Sequence, residues 1–302
     1  MKTIRPNSVY AWLLASRPKT LTAALIPVML GSGLAFSDGK FQTAEAVLCL
    51  LFACLMQVAA NFINDLFDYQ KGTDREDRLG PKRACAEGWI SPRNMKLGIG
   101  VTLLLACLCG LSVVYLTWNE LPQGGWELVV LGVVCLLFAF LYTTLLSYRG
   151  WGDLLVLVFF GLVSVGGTYY VQTGVLNVDV LVLSLVSGVV IDTLLTINNY
   201  RDIEQDRVSG KMTLIVRFGA SFGRQFYLAL GIVAVLLCLW FVYSGRLTWL
   251  EFMWAPCIYL YMHLMTWRSM CLIRQGEKLN SILGETSCNM LFLGILLSVA
   301  LC

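Results

Sequence analysis

The stretch QTAEAVLCLLFACLMQVAANFINDLF (42–67) runs directly into DYQKGTDREDRLGPKRACAEGWISPR (68–93). The first part is apolar for long enough to cross a bilayer as a helix, which takes about 20 residues. The second part is dense in charge, with Gly72, Gly80, Pro81, Gly88 and Pro92 spaced along it. Connections in compact domains are typically about 4–6 residues long, so a polar segment of this size asks for a function. Its glycines and prolines predict a folded cap with defined turns, not a tail.

The same alternation continues in both directions. Nine apolar blocks are expected to cross a membrane, at about 11–36, 42–67, 94–117, 126–146, 152–172, 178–199, 222–243, 249–271 and 281–302. The expected fold is all-α: a polytopic bundle of nine transmembrane helices, forming one membrane-embedded domain over residues 1–302. The cap loops fall at about 64–93 and 198–221. With 58% hydrophobic and 14% charged residues, against about 25% charge in globular chains, an ordinary soluble domain is excluded.

Charge sets the orientation. If the N-terminus is cytoplasmic, every lysine and arginine except Lys40 and Arg246 falls on the cytoplasmic side, as the positive-inside rule requires. The net charge of +3 is spread along that one face and gives no reason to expect a nucleic-acid partner. Arg17, Pro18 and Lys19 interrupt the first apolar block, so no cleavable signal peptide is expected and 11–17 reads as an interfacial approach. The eleven cysteines form no C-x-x-C pair and read as small packing residues.

The second large polar connection echoes the first. Asn64 and Asp68 open one, Asn198 and Asp202 open the other, and one offset relates both pairs. An Asn and an Asp four residues apart share a helix face. Asp206 adds a further turn. Two such faces form a ring of hard oxygen ligands suited to Mg²⁺, which takes a few carboxylates plus substrate phosphate oxygens. Without a bridging cation, facing acidic clusters repel. Lys71, Arg75, Arg78, Lys82, Arg83, Arg201, Arg207 and Lys211 surround them, as a metal-diphosphate requires. Either loop alone is most simply a solvated surface; the shared spacing at two helix ends argues otherwise.

The segments NFINDLFDYQKGTDREDRLGPKRACAEGWISPR (61–93) and NNYRDIEQDRVSGKMTLIVRFG (198–219) resemble the two signature regions of the UbiA-type intramembrane prenyltransferases. Within that superfamily they are most similar to the 1,4-dihydroxy-2-naphthoate polyprenyltransferases of menaquinone synthesis. RPKTLTAALIPVMLG (17–31), YTTLLSYRGWGDLLVLVFFG (142–161) and GTYYVQTG (167–174) agree. One departure is Gly72, which stands where many relatives have an acid; the third acid here is Asp74.

The resemblance implies a central cavity under a cytoplasmic cap and Mg²⁺-dependent transfer of a polyprenyl group from its diphosphate to an aromatic acid. It implies Asn64, Asp68, Asp74, Asn198, Asp202 and Asp206 at the metal, with Asp68, Asp202 and Tyr142 central to catalysis. Lys71, Arg75, Arg201, Lys211 and Arg149 would meet diphosphate. Arg78, Lys82 and Arg83, three cations around a Gly-Pro turn, would meet the acceptor carboxylate, since Arg binds carboxylates bidentately. The implied location is a bacterial inner membrane, in contact with lipid.

Phe67, Tyr69, Tyr169 and Tyr170 are weaker candidates for facing a carbocation. His263, the single histidine, reads as a packed helix residue. Asp192 lies inside an apolar run, where a carboxyl is expensive and faces the protein interior. Alternatives are a relative acting on 4-hydroxybenzoate, or a transporter. A transporter would put its polar residues near the bilayer midplane, where only Asp192 is expected.

Overall fold

The computed structural model of the protein describes residues 4–72 and 78–302. The apolar blocks fold as helices because a helix satisfies its own backbone in lipid. The first block is bent. α1 (Val9–Ser16) and α2 (Thr22–Ser37) meet at 52°. Arg17 sits there in the left-handed region at φ 51°, and Pro18 opens a single 3₁₀ turn. There follow α3 (Thr43–Lys71), α4 (Pro92–Thr117), α5 (Trp126–Arg149), α6 (Gly152–Thr173) and α7 (Val178–Arg201). The short α8 (Ile203–Val208) leads to α9 (Leu214–Tyr243), α10 (Ile258–Ile273) and α11 (Leu279–Leu301).

Among the described residues, seven helices are long and apolar enough to cross a membrane, or eight when the bent pair counts as one span. The sequence led us to expect nine, and the difference lies at 249–271. That block is one turn, Trp249–Phe252, then a π-helical stretch, Met253–Cys257, then α10. Pro256 lies in the wide stretch, where the missing N–H of proline leaves a carbonyl without its usual partner. The run from 249 to 273 is helical without a break and long enough to span; Glu251, Pro256 and His263 make it less apolar than the other spans.

α7 lies at the centre, against α2, α6, α9 and α11, with 72% of its apolar window buried. Small residues let backbones approach closely, as membrane bundles require. A Cβ added to Gly31 would meet the Val165 carbonyl oxygen at 2.7 Å, and one added to Gly294 would meet Ile26 at 2.9 Å. Outward, Leu97, Val101, Leu104, Leu108, Leu111 and Tyr115 form an exposed stripe at helical spacing on α4. Such a face suits lipid, not water.

A second, smaller core joins α1, α3, α4 and the cap, through Ala11, Phe62, Leu66, Ala84, Ile90 and Met95. Asp65 anchors it: the buried backbone N–H groups of Ala84 and Cys85 donate to its two carboxylate oxygens at 2.8 and 2.9 Å. At the opposite end of the bundle, Arg246 donates to Asp38 at 2.6 Å and to Asp179 at 2.9 Å. Trp240 donates to Asp179 and Tyr169 to Asp38. That network ties the ends of α2, α6, α7 and α9.

Candidate active site

A cavity of about 1200 Å³ opens beneath the cap and runs between α2, α3, α4, α5, α6 and α7. Its mouth carries the side chains that the sequence singled out. Asn64, Asp68, Arg78, Lys82, Arg83, Tyr142, Asn198, Arg201, Asp202, Asp206 and Lys211 all line it. The two Asn-x-x-x-Asp faces, from the C-terminal turns of α3 and α7, therefore open on one space. Deeper, the walls are apolar, with Phe52, Leu131, Leu136, Phe159, Phe160 and Val163. The cavity has the size and lining of a site for a large apolar ligand with a polar head.

Many of the polar groups at the mouth are joined to one another. The Thr143 hydroxyl donates to Asn64 Oδ1 at 2.8 Å. Arg83 is buried and paired with Asp68. Arg201 holds Asp202 with two nitrogens, at 2.7 and 2.6 Å. It also donates to Asn198 Oδ1 at 2.8 Å and to Asn280 Oδ1 at 2.9 Å. Asn280 in turn donates to the Leu79 carbonyl at 2.8 Å. Arg201 is thus a clamp joining α7, α11 and the cap, and four of its N–H groups are already engaged. Lys211 pairs with Asp206 at 3.5 Å. Burial pushes the Asp206 carboxyl up to about 6, with Lys211 opposing and the charges of Asp202 and Asp68 adding to the rise.

Among the described residues, no three His, Cys, Asp or Glu side chains converge as a metal-binding group. Guanidinium groups engage Asp68 and Asp202 instead. The donor set nonetheless fits Mg²⁺, because amide and carboxylate oxygens of Asn64, Asp68, Asn198, Asp202 and Asp206 face one space. Hard oxygen ligands of that kind are what Mg²⁺ takes alongside phosphate.

Two of the expected diphosphate residues lie elsewhere. Lys71 and Arg149 are not among the residues lining the cavity. Lys71 donates to the Thr144 carbonyl at 3.3 Å and lies over the Tyr148 ring, with its nitrogen 3.8 Å from the centroid; the Arg149 carbonyl accepts from Arg217. Of the aromatic candidates, Tyr142 lines the cavity, while the Tyr169 and Tyr170 hydroxyls bind Asp38 and Glu127. Asp74 and Arg75 lie outside the described residues. His263 is buried, 3.0 Å from the Tyr227 carbonyl, as a packing residue.

Arg17 and Asn61 line the mouth as well. Arg17 lines the mouth because the bend aims it there. Asn61 fixes that bend by donating to the Ser16 carbonyl and to Thr20. The Arg17-Pro18-Lys19 interruption was the available signal for Arg17; Asn280, in the first turn of α11, carried none.

A model of the UbiA prenyltransferase family matches residues 24–281. The 1,4-dihydroxy-2-naphthoate octaprenyltransferase of Haemophilus influenzae is 36% identical over 297 residues, covering 96% of this chain and 95% of that one. The 1,4-dihydroxy-2-naphthoate octaprenyltransferase of Escherichia coli is 38% identical over 232 residues, covering 76% and 75%. A solved UbiA homologue from Archaeoglobus fulgidus, bound to GPP and Mg²⁺, superposes with a TM-score of 0.64 at 18% identity, covering 96% of this chain and 99% of that one. With the family pattern matched over most of its length, this chain belongs to the UbiA prenyltransferase family.

Proposed function

We propose that this protein transfers a polyprenyl group from a polyprenyl diphosphate to 1,4-dihydroxy-2-naphthoate, releasing diphosphate and CO₂ and giving demethylmenaquinol. The observation that carries the reading is the pair of Asn-x-x-x-Asp faces, from α3 and α7, at the mouth of one apolar cavity. The activity of the relatives named above supports this acceptor over 4-hydroxybenzoate. The whole chain acts as one domain of nine crossings, with the N-terminus, cap and site on the cytoplasmic face of a bacterial inner membrane. The one-sided distribution of lysine and arginine supports that orientation.

Asn64, Asp68, Asn198, Asp202 and Asp206 would hold Mg²⁺, together with Asp74. Bound there, the metal supplies Lewis-acid neutralisation of the charge that develops on diphosphate. Lys211, Arg17 and Arg75 bring further cations to the diphosphate oxygens. Arg201 orients Asp202 and Asn198 instead of meeting substrate directly. The allylic carbon–oxygen bond breaks and its electron pair leaves with diphosphate. The ring carbon bearing the carboxylate attacks the cation-like allylic carbon; the carboxylate then departs as CO₂ and returns its bonding pair to the ring. The face of Tyr142 stabilises the allylic charge, and the apolar walls keep water from it. Arg78, with Lys82 and Arg83, orients the acceptor carboxylate, and the contact of Arg83 with Asp68 couples that side of the site to the metal side.

The test is turnover by purified protein in vesicles supplied with polyprenyl diphosphates, Mg²⁺ and either acceptor. The expected result is a prenylated naphthoquinol with one CO₂ per turnover, abolished by EDTA and restored by Mg²⁺. Preferential use of 4-hydroxybenzoate would contradict the acceptor assignment, and turnover indifferent to EDTA would contradict the metal.

A further inference from the structure

Helices α6 and α7 pack antiparallel along a line of close contacts. A Cβ added to Gly161 would meet the Ser184 carbonyl oxygen at 2.4 Å, and one added to Gly188 would meet the Leu157 Cα at 2.9 Å. These facing pairs step one turn apart on each helix, and the residue numbers in each pair have the same sum. Extended by one turn, the same line brings the positions of Asp153 and Asp192 opposite each other. Both are buried, 7% and 1% exposed, and each has an Oδ1 without a hydrogen-bond partner among the described residues. Beside Asp153 is a small cavity of about 10 Å³, lined also by Tyr142, Asn199, Lys211 and Thr213. The Tyr142 hydroxyl lies 3.8 Å from where a Gly152 Cβ would stand.

Two facing carboxylates inside a membrane span cannot both remain charged unless something joins them. Their surroundings differ. Asp153 is in the first turn of its helix, where the dipole favours an anion, and it shares the small cavity with the Lys211 ammonium. Asp192 lies deep within the central helix α7, where nothing comparable favours charge. We propose that Asp192 carries a proton and donates it in an O–H···O hydrogen bond to the Asp153 carboxylate. The pair is then a single negative charge that positions Lys211 and the Tyr142 hydroxyl at the wall of the main cavity. Neither acid lines that cavity, so both are positioning residues. What the pair does for Tyr142 rests on the prenyl-transfer reading; the shared proton does not.

Infrared spectra of the purified protein, with hydrogen–deuterium exchange, test the proton directly. The wild type is expected to show the carbonyl stretch of a protonated, water-free carboxylic acid, shifted by deuteration and absent from Asp192→Asn. In kinetics, Asp192→Leu removes the donor at similar volume and is expected to lower kcat about tenfold, the scale of one charge-assisted hydrogen bond. Asp192→Asn keeps an N–H donor and should recover most of that loss. If Asp192→Leu does not fold, the wild-type and Asp192→Asn spectra decide alone. A wild type without the band overturns the proposal, as does a Na⁺-dependent rise in melting temperature that Asp192→Asn abolishes, because a cation would then join the pair. A band present in a protein that transfers no prenyl group supports the pair and counts against the functional reading.

Discussion

Asn64 and Asp65 are adjacent in sequence, a rotation of about 100° on a helix, and that rotation divides two jobs. Asn64 and Asp68 face the cavity, while Asp65 turns to the cap and accepts from Ala84 and Cys85. The i,i+4 spacing of the cavity pair was legible in the sequence. The role of Asp65 was not, because an acid inside an acidic run carries no mark of which backbone it will meet. Asp65→Ala leaves two buried N–H groups unpaired, and losing such bonds to a charged acceptor costs about 3 kcal/mol. The expected outcome is a cap cut much faster by limited proteolysis, with a raised diphosphate KM; wild-type resistance would contradict the anchor. Arg78 gives the second prediction at this scale. Arg78→Ala should raise the acceptor KM about tenfold or more while moving the diphosphate KM far less. A rise confined to diphosphate would reassign it.

At the scale of elements, the helical blocks were legible because hydrophobic length is all that a span requires. The irregularities were only partly so. Arg17-Pro18 signalled a break, but where the bend aims Arg17 depends on Asn61, a partner distant in sequence. The wide turn at Pro256 follows from proline chemistry, yet that the helix continues through it needed the structure. The depth of the cavity is likewise set by packing. Gly132, on α5, lines it, and nothing lies within 4 Å of where its Cβ would stand. It sits ten residues before Tyr142, about 15 Å deeper by helical rise. Gly132→Phe should therefore place a ring across the path of a long prenyl chain. The expected result is a large loss of kcat/KM for long polyprenyl diphosphates with geranyl diphosphate little affected. Equal losses for both would show that the chain takes another course.

Across the whole molecule, the chemistry gathers at one end and a structural latch closes the other. Arg246, one of two basic residues assigned by sequence to the far side, joins Asp38 and Asp179 there. Arg246→Ala should lower thermal stability by about 2 kcal/mol, the scale of charge-assisted bonds that are partly exposed, while leaving kcat near the wild-type value. A loss of activity without a loss of stability would contradict this division of labour. The most direct test of the central claim, that the faces of α3 and α7 form one Mg²⁺-diphosphate site, is a double-mutant cycle. It measures Mg²⁺-dependent binding of a non-reactive polyprenyl diphosphate analogue to wild type, Asp68→Asn, Asp202→Asn and the double variant. Each single change is expected to remove most of the Mg²⁺-dependent affinity, and the double variant to bind little worse than either, because residues serving one ion are not additive. Strictly additive losses, or full Mg²⁺-dependent binding in either single variant, would contradict a shared site.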